Sequence, residues 1–337
     1  MTGESKRGAE RRPPHYSPLS PYRGAYHAPR WLPGGHAQTI YPVLFAPRPR
    51  VAYRRERWST PDGDFIDVDW AGDAGEDAPL VALFHGLEGS SRSHYAVSLM
   101  DAVINAGWRG VVVHFRGCSG EPNRLPRAYH SGDSAEIDWI VRRLAPMAPA
   151  LHVTGVSLGA NALLRWLGER GDEAAGLVAS AAAVSAPLDL TAAGNALDRG
   201  FNMVYTRHFL RTMRRKAIAK LAHHPDIYRE DAVARACTLR EFDNVVTAPL
   251  HGYRDTDDYW TRASSKPVLR HIAVPTLVLN ARNDPFMPAE ALPSHADTSP
   301  AVVLEQPEEG GHVGFVSGTF PGRLTWLPQR LMNHFRH

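Results

Sequence analysis

Short apolar runs alternate with helical stripes along most of this chain. Residues 51–59 and 65–70 alternate apolar and polar side chains around Pro61-Asp62-Gly63, which predicts an antiparallel hairpin at a sheet edge. Residues 79–84 form a continuous apolar run, the pattern of a strand buried on both faces. That run ends in His85-Gly86-Leu87-Glu88-Gly89, and residues 93–106 then read as a helix stopped at Gly107. Residues 110–115 predict a second buried strand, followed by a turn at Arg116-Gly117-Cys118-Ser119-Gly120. In residues 131–144, Ile137, Ile140, Val141 and Leu144 form one stripe, with Asp133 near the start and Pro146 past the end. A β-branched run at 151–156 leads into Ala160, Leu163, Leu164 and Leu167 at helical spacing. Further strands are predicted at 177–185, 275–280 and 301–304, and a closing helix at 323–335.

Strands alternating with helices predict an α/β architecture, a mostly parallel, doubly wound sheet of about eight strands. Residues 188–265 break the rhythm with helical patterns and dense charge, including Arg207, Arg211, Arg214, Arg215, Lys216 and Lys220. They read as an inserted helical cap, with 51–187 and 266–337 as the core and 1–50 as an N-terminal arm. Arg7, Arg11, Arg12, Arg23 and Arg30 make the arm basic. A solvated tail is the plainer reading of the arm, and a solvated face that of the cap; a nucleic-acid or lipid surface is the sharper one. His223-His224 lacks the partners of a metal motif, so no metal site is expected.

The composition narrows the class. With 337 residues, 43% of them hydrophobic, the chain can build a sizeable core. A net charge of +3 does not select a partner. Two cysteines, Cys118 and Cys237, are too few for a disulfide framework. The N-terminus lacks an apolar signal segment, and residues 176–187 are too short to span a bilayer. A cytoplasmic protein without stable membrane insertion is expected; the oligomeric state is not legible.

The chemistry gathers past the strand ends. Gly155-Val156-Ser157-Leu158-Gly159 lies between a predicted strand and helix, where a sharp turn exposes the serine hydroxyl and a helix N-terminus faces any developing anion. A serine needs a base, and the base needs a carboxylate. Asp284 and His312 each follow a later strand, giving the Ser, acid, His order of α/β-hydrolase sheets. The N–H groups of Leu158 and Leu87 are the candidate oxyanion donors, and Gly86, Glu88, Phe286 and Val313 are expected to line the substrate site. His85, His114, His130, Asp133 and Cys118 read as structural residues, and Arg116 as an ion-pair buttress. The glycines of residues 31–40 imply tight packing without revealing a role.

Several ordered blocks carry a resemblance. They are G-G-H-A-Q-T at 34–39, H-G-L-E-G-S at 85–90, H-F-R-G-C-S-G-E-P-N-R at 114–124, Y-H-S-G at 129–132, G-V-S-L-G-A-N at 155–161, N-A-R-N-D-P-F at 280–286 and G-G-H-V-G-F at 310–315. Together they resemble the α/β-hydrolase fold and, within it, the YheT-like hydrolases related to eukaryotic lipid-acting esterases. The resemblance implies a triad of Ser157, Asp284 and His312 and carboxylester hydrolysis. Ala160 departs from it, standing where that family more often has glycine.

The expectation is therefore a serine esterase acting on short- to medium-chain acyl or lipid-like small-molecule esters, with no cofactor and no nucleic-acid partner. An acyltransferase using the same triad is the alternative. A protein binding anionic lipid or nucleic acid through the basic cap is a second.

Overall fold

The computed structural model describes residues 25–337; Arg7, Arg11, Arg12 and Arg23 of the basic arm lie outside the described residues. The strands are β1 (Arg54–Ser59), β2 (Phe65–Ala71), β3 (Leu80–Phe84), β4 (Arg109–Val113), β5 (Leu151–Val156), β6 (Ser180–Val184), β7 (Thr276–Leu279) and β8 (Val302–Glu305). They form one sheet in the order β1-β2-β4-β3-β5-β6-β7-β8. The β1–β2 and β2–β4 pairs are antiparallel and all others parallel. The predicted hairpin lies at one edge with β1 outermost, while β2 is buried along most of its length, its Asp67 and Asp69 paired with Arg57 and Arg55 of β1.

The parallel strands bury both faces. Leu80, Ala82 and Phe84 pack on one side with Ile137, Ile140 and Leu144 of α3 (Ser134–Leu144) and Leu163, Leu164 and Leu167 of α4 (Leu158–Arg170). Val81 and Leu83, one residue out of phase, pack on the other with α2 (His94–Asn105) and α12 (Trp326–Phe335). A period-2 strand sandwiched between helices explains why these runs lack polar positions.

Before the sheet comes α1 (Gly35–Leu44), and α5 (Asp172–Ala175) is a short turn after α4. Between β6 and β7 the chain is helical: α6 (Leu190–Leu197), α7 (Met203–Lys220), α8 (Glu230–Arg235), α9 (Leu239–Phe242), a π-helical turn (Asp243–Thr247), α10 (Ala248–Leu250) and α11 (Thr256–Ala263). These helices have their own apolar cluster, with Leu190, Leu210, Val233, Phe242 and Trp260, joined by Phe286 from the loop after β7. Buried Asn161 of α4 ties them down: its amide donates to Ala263 O at 2.8 Å, and its oxygen accepts from Ser265 N–H at 3.0 Å. No helix among the described residues is long and apolar enough to cross a membrane.

Candidate active site

Ser157 sits between β5 and α4 with φ 54° and ψ −120°, a conformation that costs a non-glycine residue energy. The neighbouring glycines make the turn possible. A Cβ on Gly155 would lie 2.5 Å from Ala160 Cα, and one on Gly159 2.4 Å from Phe84 O. The turn is pinned from β6, where Val184 O accepts the Ser157 N–H at 2.9 Å. As the first residue of α4, Leu158 has no carbonyl one turn back in the helix, and its N–H has no acceptor among the described residues.

The loops after β7 and β8 bring the other two groups over the serine. Ser157 Oγ lies 2.9 Å from His312 Nε2, and His312 Nδ1 lies 2.8 Å from Asp284 Oδ2. The second Asp284 oxygen accepts the Phe286 N–H at 2.8 Å. Phe286 then stacks on the imidazole, with centroids 4.0 Å apart and an interplanar angle of 23°. One short loop therefore both holds the carboxylate and covers one face of the histidine.

The loop after β3 presents Leu87. On either side of it, Gly86 N–H donates to Tyr95 Oη and Glu88 N–H to Tyr129 Oη, both at 2.9 Å. Leu87 N–H has no acceptor among the described residues. Buried His85 anchors the base: Nδ1–H donates to Gly86 O at 2.7 Å, and Nε2 accepts Phe115 N–H at 3.1 Å. Those two bonds require the neutral ring, and burial lowers its pKa to about 3. Arg116 ion-pairs with Asp62, Asp64 and Glu136 and buttresses the neighbouring loop. Burial pushes the Cys118 thiol up to about 11, so it is held as a neutral packing group.

A cavity of about 120 Å³ opens above Ser157 and His312, walled by Leu158, Leu190, Leu197, Met213, Trp260 and Phe286. Of the four residues expected to line it, Phe286 does. Gly86, Glu88 and Val313, which the sequence reading expected beside it, lie outside its walls. Gly86 has no side chain to offer, and a Cβ there would approach Ser157 Cβ to 3.1 Å. Glu88 is turned by its φ of 55° toward α7, where Lys216 Nζ lies 2.8 Å from its carboxylate. It lines a second hollow of about 520 Å³ on the far side of Leu87, Tyr129 and Met213. Val313 packs its side chain in the core cluster of α2 and α12, while its N–H donates to Ser185 Oγ at 3.0 Å.

Two parts of the site escaped the sequence reading. The first is the Gly34–Thr39 block, which holds the histidine loop. Gln38 Oε1 accepts both Asn283 Nδ2 and Gly310 N–H at 2.9 Å, and Thr39 Oγ1 accepts His312 N–H at 2.9 Å. Its glycine density and its place among the blocks of the family resemblance marked it without revealing this role. The second is Asp243, in the cavity wall on the π-helical turn. It accepts from Thr247 Oγ1 at 2.6 Å and Trp260 Nε1 at 2.8 Å. Burial raises its pKa to about 6 against those bonds. Nothing in the local pattern sets Asp243 apart from other helix-surface acids.

Comparisons with known proteins show the family and the fold. The family model described as alpha/beta hydrolase fold matches residues 79–319. YheT of Escherichia coli is 40% identical over 306 residues, covering 88% of each chain. Phospholipase ABHD3 of Mus musculus is 32% identical over 314 residues, covering 90% of this chain and 76% of that protein. Among solved structures, the esterase Pf2001 of Pyrococcus furiosus superposes with a TM-score of 0.53 at 17% identity, covering 86% of this chain and 97% of that one. That last likeness is one of fold.

Proposed function

The chain belongs to the α/β-hydrolase family, in its YheT-like branch, and is a hydrolase of the esterase and lipase kind; from that premise we propose that it cleaves carboxylic esters through an acyl-enzyme on Ser157. The observation that carries the proposal is the unbroken line from Ser157 Oγ through His312 to Asp284, at 2.9 and 2.8 Å. Ser157 Oγ attacks the ester carbonyl while His312 Nε2 takes its proton. Asp284 holds the Nδ1–H and stabilises the imidazolium. The N–H groups of Leu87 and Leu158 bind the oxyanion. Each such donor is worth roughly 2.7–4 kcal/mol of transition-state stabilisation. The intermediate then collapses, the C–O bond breaks, and His312 returns the proton to the leaving alcohol. A water, deprotonated by His312, next attacks the acyl-enzyme and releases the acid. Every proton and electron pair in this cycle comes from the protein, the ester and water.

In this reading residues 188–265 are the cap, and 51–187 with 266–337 the catalytic core. A cavity of about 120 Å³ is well below the roughly 300–1,000 Å³ that encloses a drug-sized ligand. Its apolar walls favour a short acyl chain at the serine, with the remainder of a small-molecule ester or lipid outside it. The name phospholipase borne by ABHD3 supports a lipid-like ester as substrate.

Active-site titration with a fluorophosphonate tests the proposal. Wild type is expected to label stoichiometrically, and Ser157→Ala to lose both labelling and about 10⁶-fold in kcat. Labelling that survives Ser157→Ala overturns it. Adding a competing alcohol separates hydrolysis from acyl transfer by the products formed.

A further inference from the structure

Large apolar side chains stand in solvent near both ends of α1. Phe45 is 66% exposed and Phe320 72%, and Val43 and Leu44 beside them are also exposed. They form one surface: Trp31 packs edge-on against both Tyr41 and Phe320, and Tyr41 in turn contacts Phe45. At the other end of α1, about 15 Å away by helix rise, His36 meets Phe201 with centroids 4.6 Å apart. Phe201 is 54% exposed and Val204 49%. From here contacts run to Phe286 in the wall of the catalytic cavity. His36 Nδ1 bonds Tyr205 Oη at 3.1 Å, Tyr205 packs on Phe286, and Phe286 stacks on His312.

Charge follows the same surface. The three segments that carry the exposed tips, 25–50, 199–225 and 310–331, contain no Asp or Glu. Arg48, Arg50, Arg199, Arg207, Arg211 and Arg323 project from them into solvent. None of the six forms an ion pair among the described residues, although most surface arginines elsewhere do. On α7 the division is sharp: Thr206, Leu210 and Ala217 are buried, while Val204, Arg207, Arg211 and Arg215 face out. Arg48 and Arg323 share a hollow with Asp101 of α2 without pairing with it, and exposed apolar tips beside cations that form no ion pair suit an interface that is oily at its centre and anionic at its rim.

We propose that this face of α1, α7 and the Phe320 loop docks onto an anionic lipid bilayer, with the phenylalanines at the headgroup–acyl boundary and the arginines on the phosphates. Tyr205 and Phe286 then link the docked face to the catalytic histidine. A nucleic acid would answer the arginines but leave Val43, Leu44 and Phe45 without a partner. Docking goes beyond ester cleavage and does not require it, so it can be measured in a protein that cannot turn over.

The test uses the full chain carrying Ser157→Ala, sedimented with vesicles of phosphatidylcholine alone or with phosphatidylglycerol added. Binding is expected only with phosphatidylglycerol, and is expected to weaken as salt rises. The Phe45→Ser/Phe320→Ser pair and the Arg207→Glu/Arg211→Glu pair are each expected to reduce it about tenfold. In the otherwise wild-type protein, hydrolysis of a water-soluble short ester by the Phe45→Ser/Phe320→Ser variant should be unchanged. The arginine pair probes the same face by charge if the phenylalanine pair does not fold. Four results each overturn the proposal: no preference for phosphatidylglycerol, binding indifferent to both pairs, equal binding to single-stranded RNA, or a dimer in solution that Phe45→Ser dissolves.

Discussion

The hydroxyl of Thr39 accepts the backbone N–H of His312 at 2.9 Å. The same hydroxyl donates to Gly35 O at 2.7 Å, so the start of α1 and the histidine loop share one side chain. Thr39→Val keeps the shape but leaves a part-buried N–H without its acceptor, at about 1 kcal/mol. The expected result is about a tenfold lower kcat/KM on a soluble ester with fluorophosphonate labelling slowed in parallel. Thr39→Ser should restore both, and an unchanged rate in Thr39→Val would remove the residue from the positioning of His312.

Ser157 holds a positive φ that glycine adopts freely. Ser157→Gly is expected to raise stability by about 1 kcal/mol in chemical denaturation while abolishing activity. Ser157→Ala keeps the Cβ and should show no such gain. Equal stabilities for the two variants would mean that the turn stores no strain.

At Gly159 the obstacle is backbone, since an added Cβ would meet Phe84 O at 2.4 Å and His85 O at 2.5 Å. Neither carbonyl can rotate away without moving β3 and the oxyanion loop. Gly159→Ala is therefore expected to cost about 3 kcal/mol or more. By contrast, a Cβ on exposed Gly75 meets nothing within 4 Å. Gly75→Ala should be close to neutral, and urea midpoints compare the two directly.

Burial lowers five histidines: His85 and His130 to about 3, and His94, His152 and His334 to about 4. In the unfolded chain each titrates near 6.5. Between pH 6.5 and 4 the unfolded state therefore binds more protons than the folded one, and stability falls as pH falls. Denaturant midpoints are expected to be flat above pH 7 and to drop steeply below 6. A midpoint independent of pH down to 4 would contradict the buried, neutral assignment.

Asp243 works in the opposite sense. Its folded pKa of about 6 lies above the ordinary 3.8 of an aspartate, so the folded state holds the extra proton. Its contribution to stability is greatest below pH 4 and is lost as pH rises to about 6. Asp243→Asn should therefore be more stable than wild type at pH 8, by about 3 kcal/mol at most, and no more stable at pH 4. Thermal denaturation at the two pH values measures the difference.

What the sequence by itself determined is whatever is written locally. The alternation of buried runs and helical stripes is enough for a parallel sheet with helices on both faces, because strand and helix periods are short-range properties. Ser157 was legible for the same reason: strand, strained turn and helix fall within one short stretch. Asp284 and His312 were legible through their order after later strands. Only the tertiary structure decided what crosses large sequence gaps. It joined Thr39 to His312 across 273 positions, turned Glu88 to Lys216 of α7, and sent the Val313 side chain into the core. It also set Asp243 in the wall of the cavity. These outcomes depend on a backbone angle or on which distant loops meet above the strand ends, and neither leaves a periodic trace in the chain.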